Sequence, residues 1–270
     1  MGETVKPAWM PLTPRGVAAF AHATTGRLLL VQFLFALTAG IVVAWFAQFA
    51  VFPVISRAIA QLPEQGEIRS RQLDWRGDSP QLLAEGGVLA LTVDLNHAGD
   101  VRPLADVAVE FGRDGWRARS LFGIMEARYP SGWVIAFNRA ELNPKWGAWR
   151  PVFLAGAVAG TTVWLMLTWA FLAALYAPVV RVAGEFADRD LDFVRSWRMS
   201  AAALMPGALI MTASIAAYGI GLMDLVGFLF AFGIHLAVGW VCLFLSLLFV
   251  PRIGANTGGK NPFASAKSKK

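Results

Sequence analysis

The chain has 270 residues, 56% of them hydrophobic and only 16% charged, with 24 Lys and Arg against 18 Asp and Glu for a net charge of +6. Ordinary globular domains carry roughly 45–50% apolar and about 25% charged residues, so this balance excludes a typical soluble domain. The excess charge gathers in the C-terminal tail, because residues 57–150 hold twelve basic and twelve acidic residues; nucleic-acid binding gains no support from it.

Four stretches lack any charge, namely Leu28 to Ser56, Pro151 to Val180, Met199 to Met223 and Leu225 to Pro251. Each exceeds the roughly 20 residues that cross a bilayer core. In hydrocarbon the backbone must satisfy its own hydrogen bonds, and apolar runs without alternation do so as helices. The fold class expected is therefore an α-helical membrane protein with four transmembrane helices and a small, mainly β (α+β) extracytoplasmic domain. In chain order this makes 1–27 a cytoplasmic N-terminal segment, 28–56 the first membrane segment, 57–150 the exported domain and 151–180 the second membrane segment. Residues 181–198 become a cytoplasmic amphipathic loop, 199–251 the third and fourth helices, and 252–270 a basic cytoplasmic tail. The helices themselves are predicted at about Leu28 to Phe52, Val152 to Tyr176, Met199 to Tyr218 and Leu225 to Val250.

The first run is too long for a signal-peptide core of about 7–15 residues, so it reads as an uncleaved anchor. Lys and Arg near helix ends mark the cytoplasmic side. Lys6, Arg15 and Arg27 precede the first helix, Arg181, Arg189, Arg195 and Arg198 fill the middle loop, and Arg252, Lys260, Lys267, Lys269 and Lys270 follow the fourth. Both termini are thus expected inside a bacterial cytoplasmic (inner) membrane and residues 57–150 outside it. Trp45, Trp146 and Trp149 fall where amphipathic rings favour the headgroup region.

Inside the insert, a helical stalk over Val54 to Ala60 is expected to end at Leu62-Pro63. Period-two alternation then predicts strands at Leu89 to Leu95 and Val107 to Phe111. Phe111-Gly-Arg-Asp-Gly-Trp116 carries an Asp-Gly hairpin signal, and Tyr129-Pro-Ser-Gly-Trp133 a second turn before Trp133, Ile135 and Phe137. Leu73 to Trp75 reads as an edge strand, and Ser79-Pro80 to Glu85 as one short helix begun by a serine.

Three polar groups stand out. Asp94, Asn96, His97 and Asp100 end a hydrophobic strand, either as a ligand or ion site or as a turn in which Asn, Gly and Asp are favoured by the backbone alone; Ala98 and Ala105 occupy positions where a calcium loop needs oxygen. Arg113, Arg117, Arg119 and Arg128 form a candidate basic face for an anionic surface, or the solvated side of a half-buried sheet that Glu110 and Glu126 neutralise. At membrane depth Gln32, Pro206 and His235 are the candidates, since intramembrane ionisable groups are functional by default and Pro-bearing helices line some transport sites. A neutral histidine also serves as a packing residue. Gly156-Ala-Val-Ala-Gly160 is a small-xxx-small pattern for helix packing, expected within the chain, with a second copy as the alternative.

No Gly-x-Ser-x-Gly, His-Glu-x-x-His, phosphate loop or Cys/His metal cluster is present, and the three histidines, His22, His97 and His235, fall in different compartments. The expectation is a protein that is not an enzyme, without cofactor or metal. Cys242 is the lone cysteine, so no disulfide can tie the insert together.

One anchor helix, a small exported β domain entered through Leu62-Pro63, a strand ending in Val93-Asp94 and a closing helical group with a Pro206-bearing span resemble an uncharacterised family of bacterial inner-membrane proteins, some members of which are associated with maltodextrin utilisation. The resemblance implies no catalytic residues. The function expected is a scaffold, accessory or sensor subunit whose exported domain binds a protein or envelope component, with the lipid bilayer and a membrane or envelope protein as partners. A small transporter or lipid-handling protein using the third helix and His235 is the alternative, and a homo-oligomer remains open.

Overall fold

The computed structural model describes residues 9–252. The basic tail from Lys260 to Lys270, together with Lys6, lies outside the described residues. The chain forms a mixed α+β protein with four helical segments long and apolar enough to cross a membrane. It divides into two compact units: a helical unit of residues 9–38, 162–211 and 230–252, and a second unit of residues 39–161 and 212–229 that contains all the strands.

A short helix, α1 (Pro14–Ala19), starts at Thr13, whose hydroxyl accepts from the Gly16 amide at 3.1 Å. Helix α2 (Thr25–Phe46) continues without a break through a π turn, Ala47–Val51, into α3 (Phe52–Gln61). Pro53 explains the break in the regular ladder: lacking an N–H, it cannot donate to the turn before it. The sequence places a stalk over Val54 to Ala60 here, and α3 ends at Gln61 with Leu62 extended before Pro63.

Helix α4 (Arg139–Phe186) has 48 residues. At 1.5 Å per residue it is about 72 Å long, more than twice the roughly 30 Å hydrocarbon core. The predicted second helix covers only its apolar middle. Its start is capped by Asn138, whose Oδ1 accepts from the Glu141 amide at 2.9 Å while Nδ2 donates to the Gly66 carbonyl at 3.0 Å. The segment 181–198, expected as an amphipathic loop, is largely helical and divided between two helices. Its first part belongs to α4, which closes with the Arg189 amide bonded to the Gly184 carbonyl at 2.9 Å and Asp188 in a left-handed conformation (φ 55°). Its second part opens α5 (Phe193–Gly219), capped by Asp192, whose carboxylate accepts from the Arg195 amide at 2.7 Å. Asp at an N-cap and a left-handed residue at a C-cap are strong local stops, and together they override the apolar periodicity. Helix α6 (Leu225–Leu247) follows a tight turn, with Asp224 accepting from the Gly227 amide at 2.7 Å.

The helical unit packs around Val17, Phe20 and Leu28 on one side and Val180, Met199, Leu243 and Val250 on the other, all nearly inaccessible. Between them lie alanines, Ala173, Ala177 and Ala201 to Ala203, which let helix backbones approach closely. A Cβ on Gly207 would meet the His235 carbonyl oxygen at 2.4 Å, and one on Gly239 would lie 3.6 Å from the Ala203 oxygen. Thus α5 and α6 touch through residues spaced by four on each helix. The packing expected within the chain at Gly156 and Gly160 does not form among the described residues, where added Cβ atoms would meet nothing within 4 Å; the alternative, a second copy, is untouched by this. The pattern marks any helix that offers a smooth strip, and which strip is used depends on its neighbours.

The strands of the second unit are β1 (Glu67–Arg69), β2 (Gln72–Asp74), β3 (Gln81–Glu85), β4 (Leu89–Val93), β5 (Val107–Phe111), β6 (Gly115–Ser120), β7 (Gly123–Arg128) and β8 (Ile135–Ala136). They form a three-stranded sheet in the order β2-β1-β8 and a five-stranded sheet in the order β3-β4-β5-β6-β7. All pairs are antiparallel except β4 with β5. The short helix expected at Ser79 to Glu85 is β3 instead. Ser79 caps nothing locally, because its hydroxyl accepts from the Leu95 amide at 3.0 Å, and Gln81 to Glu85 pair with β4.

Alternation splits the larger sheet into two chemically different faces. Leu89, Leu91, Val93, Phe111 and Trp116 point to one side and bury Val54 and Ala58 of α3 together with Leu73, Leu83, Tyr129 and Phe137. The opposite face carries Ala90, Thr92, Ala108, Glu110, Arg117 and Arg119, brought side by side by the register. Because β4 and β5 are parallel, residues 94–106 must cross over, and they do so as a loop without a helix.

Candidate functional site

Asp94 leaves the end of β4 almost fully buried and organises the start of the crossover loop. Its carboxylate accepts from the Asn96 amide at 3.2 Å and the Gly99 amide at 2.9 Å, while its carbonyl accepts from the His97 amide at 3.1 Å. These bonds give each Asp94 carboxylate oxygen a backbone partner, and Asn96 and Asp100 are exposed. Of the two readings the sequence offers for these four residues, a ligand site or a turn, the backbone here forms the turn, and no group of three or more metal-ligating side chains occurs among the described residues.

The turn has a different consequence. His97 adopts a left-handed conformation (φ 53°), which folds its ring back over Gly112, where a Cβ would fall 2.1 Å from the ring. From there Nδ1 meets Glu110, whose other carboxylate oxygen is held by the Arg119 guanidinium. Glu110 has only 4% of its side chain accessible, so a buried carboxylate lies between two cationic or potentially cationic groups. Taking a carboxylate out of water costs several kcal/mol unless it is paired and hydrogen-bonded, and Glu110 is both. The arrangement locks the crossover loop to the sheet.

The candidate basic face is thereby largely neutralised. Arg119 pairs with Glu110, and Arg117 lies 2.8 Å from Glu126, an ion contact whose direction does not make a hydrogen bond. Register puts Arg117, Arg119 and Arg128 on one side of the sheet, whereas Arg113 sits in the β5–β6 turn. Alternation makes Glu110 and Glu126 legible as neutralising partners of the arginines. The His97 partnership was not legible, since it depends on parallel pairing of β4 with β5.

At the end of the sheet where β5 begins and β6 finishes, two clefts adjoin, both formed wholly within the second unit. One, of about 540 Å³, has a polar wall of Arg102, Asp106, Arg119, Ser120 and Asp224 and an apolar floor of Leu121, Leu225 and Val226. The other, of about 400 Å³, is lined by Val107, Phe122, Ile124, Met125, Tyr218 and Leu225 among others. They meet along Asp106, Ser120 and Leu225. Tyr218 donates its hydroxyl to Asp106 at 2.5 Å, and its ring stacks on Phe46 and Phe228. The β6–β7 hairpin beside the clefts exposes Leu121, Phe122, Ile124 and Met125, with Phe122 78% accessible. Contiguous exposed apolar side chains of this kind mark interaction surfaces.

The membrane-depth candidates do not converge. His235 Nδ1 donates to the Phe232 carbonyl of its own helix, and its contact with α5 is through its backbone at Gly207. Helix α5 runs unbroken through Pro206, which is buried beside that contact. Gln32 is 1% accessible, and its amide nitrogen has no partner among the described residues; the buried hydroxyls of Ser196 and Ser200 share that state.

Comparison with known proteins gives no match, whether with family models, curated proteins or solved structures. The resemblance in the order of parts therefore rests on that order alone.

Proposed function

We propose that this protein is a bacterial inner-membrane protein with both termini in the cytoplasm and its β-rich unit outside, serving as a non-enzymatic binding module for a component of the envelope. The observation that carries this reading is the apolar β6–β7 hairpin beside two clefts, next to the start of α6. A soluble sheet would hide Leu121, Phe122, Ile124 and Met125 in its core, and an interaction surface accounts for their exposure. The absence of a catalytic motif in the sequence supports a binding role over an enzymatic one.

The topology is tested by cysteine labelling in intact cells, using Ser131→Cys in the exposed turn before β8 and Asp188→Cys in the turn between α4 and α5. A membrane-impermeant maleimide should label position 131 and not position 188. Purification in mild detergent should also bring down a stoichiometric envelope component. Labelling only at 188 would reverse the orientation.

A second reading, a small transporter or lipid-handling protein, draws on the amide nitrogen of Gln32 and the hydroxyls of Ser196 and Ser200, buried without a partner among the described residues. His235→Ala leaving every transport and lipid phenotype unchanged would remove the histidine from it.

A further inference from the structure

The charges around the larger cleft are of both signs. Arg102 and Arg119 supply two guanidinium groups, one of them already holding Glu110, while Asp106 and Asp224 supply two carboxylates. Arg119 keeps further N–H donors, since a guanidinium has five. Asp106 is fixed by the Tyr218 hydroxyl and Asp224 by the Gly227 amide, so both carboxylates have set positions with acceptor capacity to spare. Below them the floor is apolar, formed by Leu121, Leu225 and Val226. The adjoining cleft, with Phe122, Ile124 and Met125, extends the apolar surface without adding a cation. A ligand matched to this set of groups carries a phosphate, an ammonium group and attached hydrocarbon.

We infer that the paired clefts bind one bilayer phospholipid with a phosphoethanolamine headgroup. The phosphate is held by Arg102 and the remaining donors of Arg119, the ammonium by Asp106 and Asp224, and the acyl chains lie against Leu225 and the β6–β7 hairpin. The start of α6, a helix long and apolar enough to cross a membrane, forms part of the cleft, which brings the site to the level of lipid headgroups. An anionic glycerol headgroup supplies the phosphate but no ammonium and leaves the two carboxylates facing a like charge. A choline headgroup supplies a cation with no N–H to donate. Selectivity for ethanolamine over both follows. This inference rests on the binding-module reading above and names its ligand.

The test uses the full-length protein in detergent micelles with phosphatidylethanolamine, phosphatidylglycerol and phosphatidylcholine of identical acyl chains, read by native mass spectrometry. One phosphatidylethanolamine per chain should be retained under conditions that strip the other two. Arg102→Glu and Leu121→Asp, both at exposed positions, should each weaken that retention about tenfold, the first through a lost charge-assisted contact and the second through a charge placed against the acyl chains. Asp106→Asn should abolish the preference for ethanolamine over glycerol headgroups. Retention unchanged in Arg102→Glu and Leu121→Asp, or phosphatidylglycerol held as well as phosphatidylethanolamine by the unmodified protein, would overturn the inference. If lipid selectivity fails while position 131 labels from outside and an envelope component co-purifies, the lipid is wrong and the binding module stands. If position 131 does not label from outside, the topology beneath both is wrong.

Discussion

In the second unit a carboxylate as buried as Glu110 is held on both sides by His97 and Arg119, whereas in the helical unit the amide nitrogen of Gln32 and the hydroxyls of Ser196 and Ser200 are buried without a partner among the described residues. The contrast extends to apolar packing. The sheet buries large side chains, Phe111, Trp116 and Phe137, against α3, while the helices meet through Gly207, Gly239 and a run of alanines. Two sheets of short strands with no disulfide need specific side-chain partners to hold the crossover loop. Helices satisfy their own backbones, so close approach and dispersion suffice to join them.

The contrast breaks first at Glu110. Glu110→Ala leaves Arg119 and His97 beside an emptied site, and because the Arg119 side chain is partly exposed to water the cost should be about 1–3 kcal/mol, that of a lost charged hydrogen bond. Proteolysis within residues 94–106 should accelerate while the helical unit keeps its helicity by circular dichroism; equal loss in both would show that the loop lock is not local.

Gly207→Ala places a methyl 2.4 Å from the His235 carbonyl oxygen, a backbone atom that cannot swing aside. Forced overpacking costs about 1–3 kcal/mol, seen as a lower thermal midpoint in detergent. Gln32→Leu should act the other way. An unsatisfied buried polar group costs about 1–3 kcal/mol, so its removal should raise the midpoint, and a fall would show that the amide has a partner in the folded protein.

Tyr129 offers a smaller and pH-dependent effect. Its hydroxyl donates to the Gly112 carbonyl at 2.9 Å, and burial first, then the negative charge of Asp114, pushes its pKa above the ordinary value of 10.0. The folded state thus holds the proton to higher pH than the unfolded chain. Its stabilising contribution is complete below pH 10 and is lost as pH rises through the folded value. Tyr129→Phe should cost about 1 kcal/mol at neutral pH and flatten the alkaline decline of the β-rich unit. Smallest of all, Gly156→Ala with Gly160→Ala should leave stability unchanged within about 0.5 kcal/mol, since none of the described residues lies within 4 Å of a Cβ added there. A large loss there would reveal a second copy packed on that strip.

Much of the architecture is legible in the sequence because its signals are local. Charge-free runs of more than twenty residues locate α2, the middle of α4, α5 and α6, since only a self-bonded helix tolerates such a run in hydrocarbon. Alternation at Leu89 to Val93 and Val107 to Phe111 locates β4 and β5, because a half-buried strand shows one face to the core. Asp-Gly at 114–115 likewise marks the turn between β5 and β6. Tertiary structure decided what depends on neighbours. Pairing with β4 made Gln81 to Glu85 a strand rather than a helix, and Asp192 with the left-handed Asp188 cut 181–198 into two helix ends. Parallel pairing of β4 with β5 laid residues 94–106 over Glu110 and joined it to His97, thirteen positions away in the chain. The clefts at the end of β5 draw on residues from 102 to 226, and no spacing in a sequence records which distant segments will share a surface. Local periodicity reports how each segment meets its surroundings, and the identity of those surroundings is set only when the segments pack.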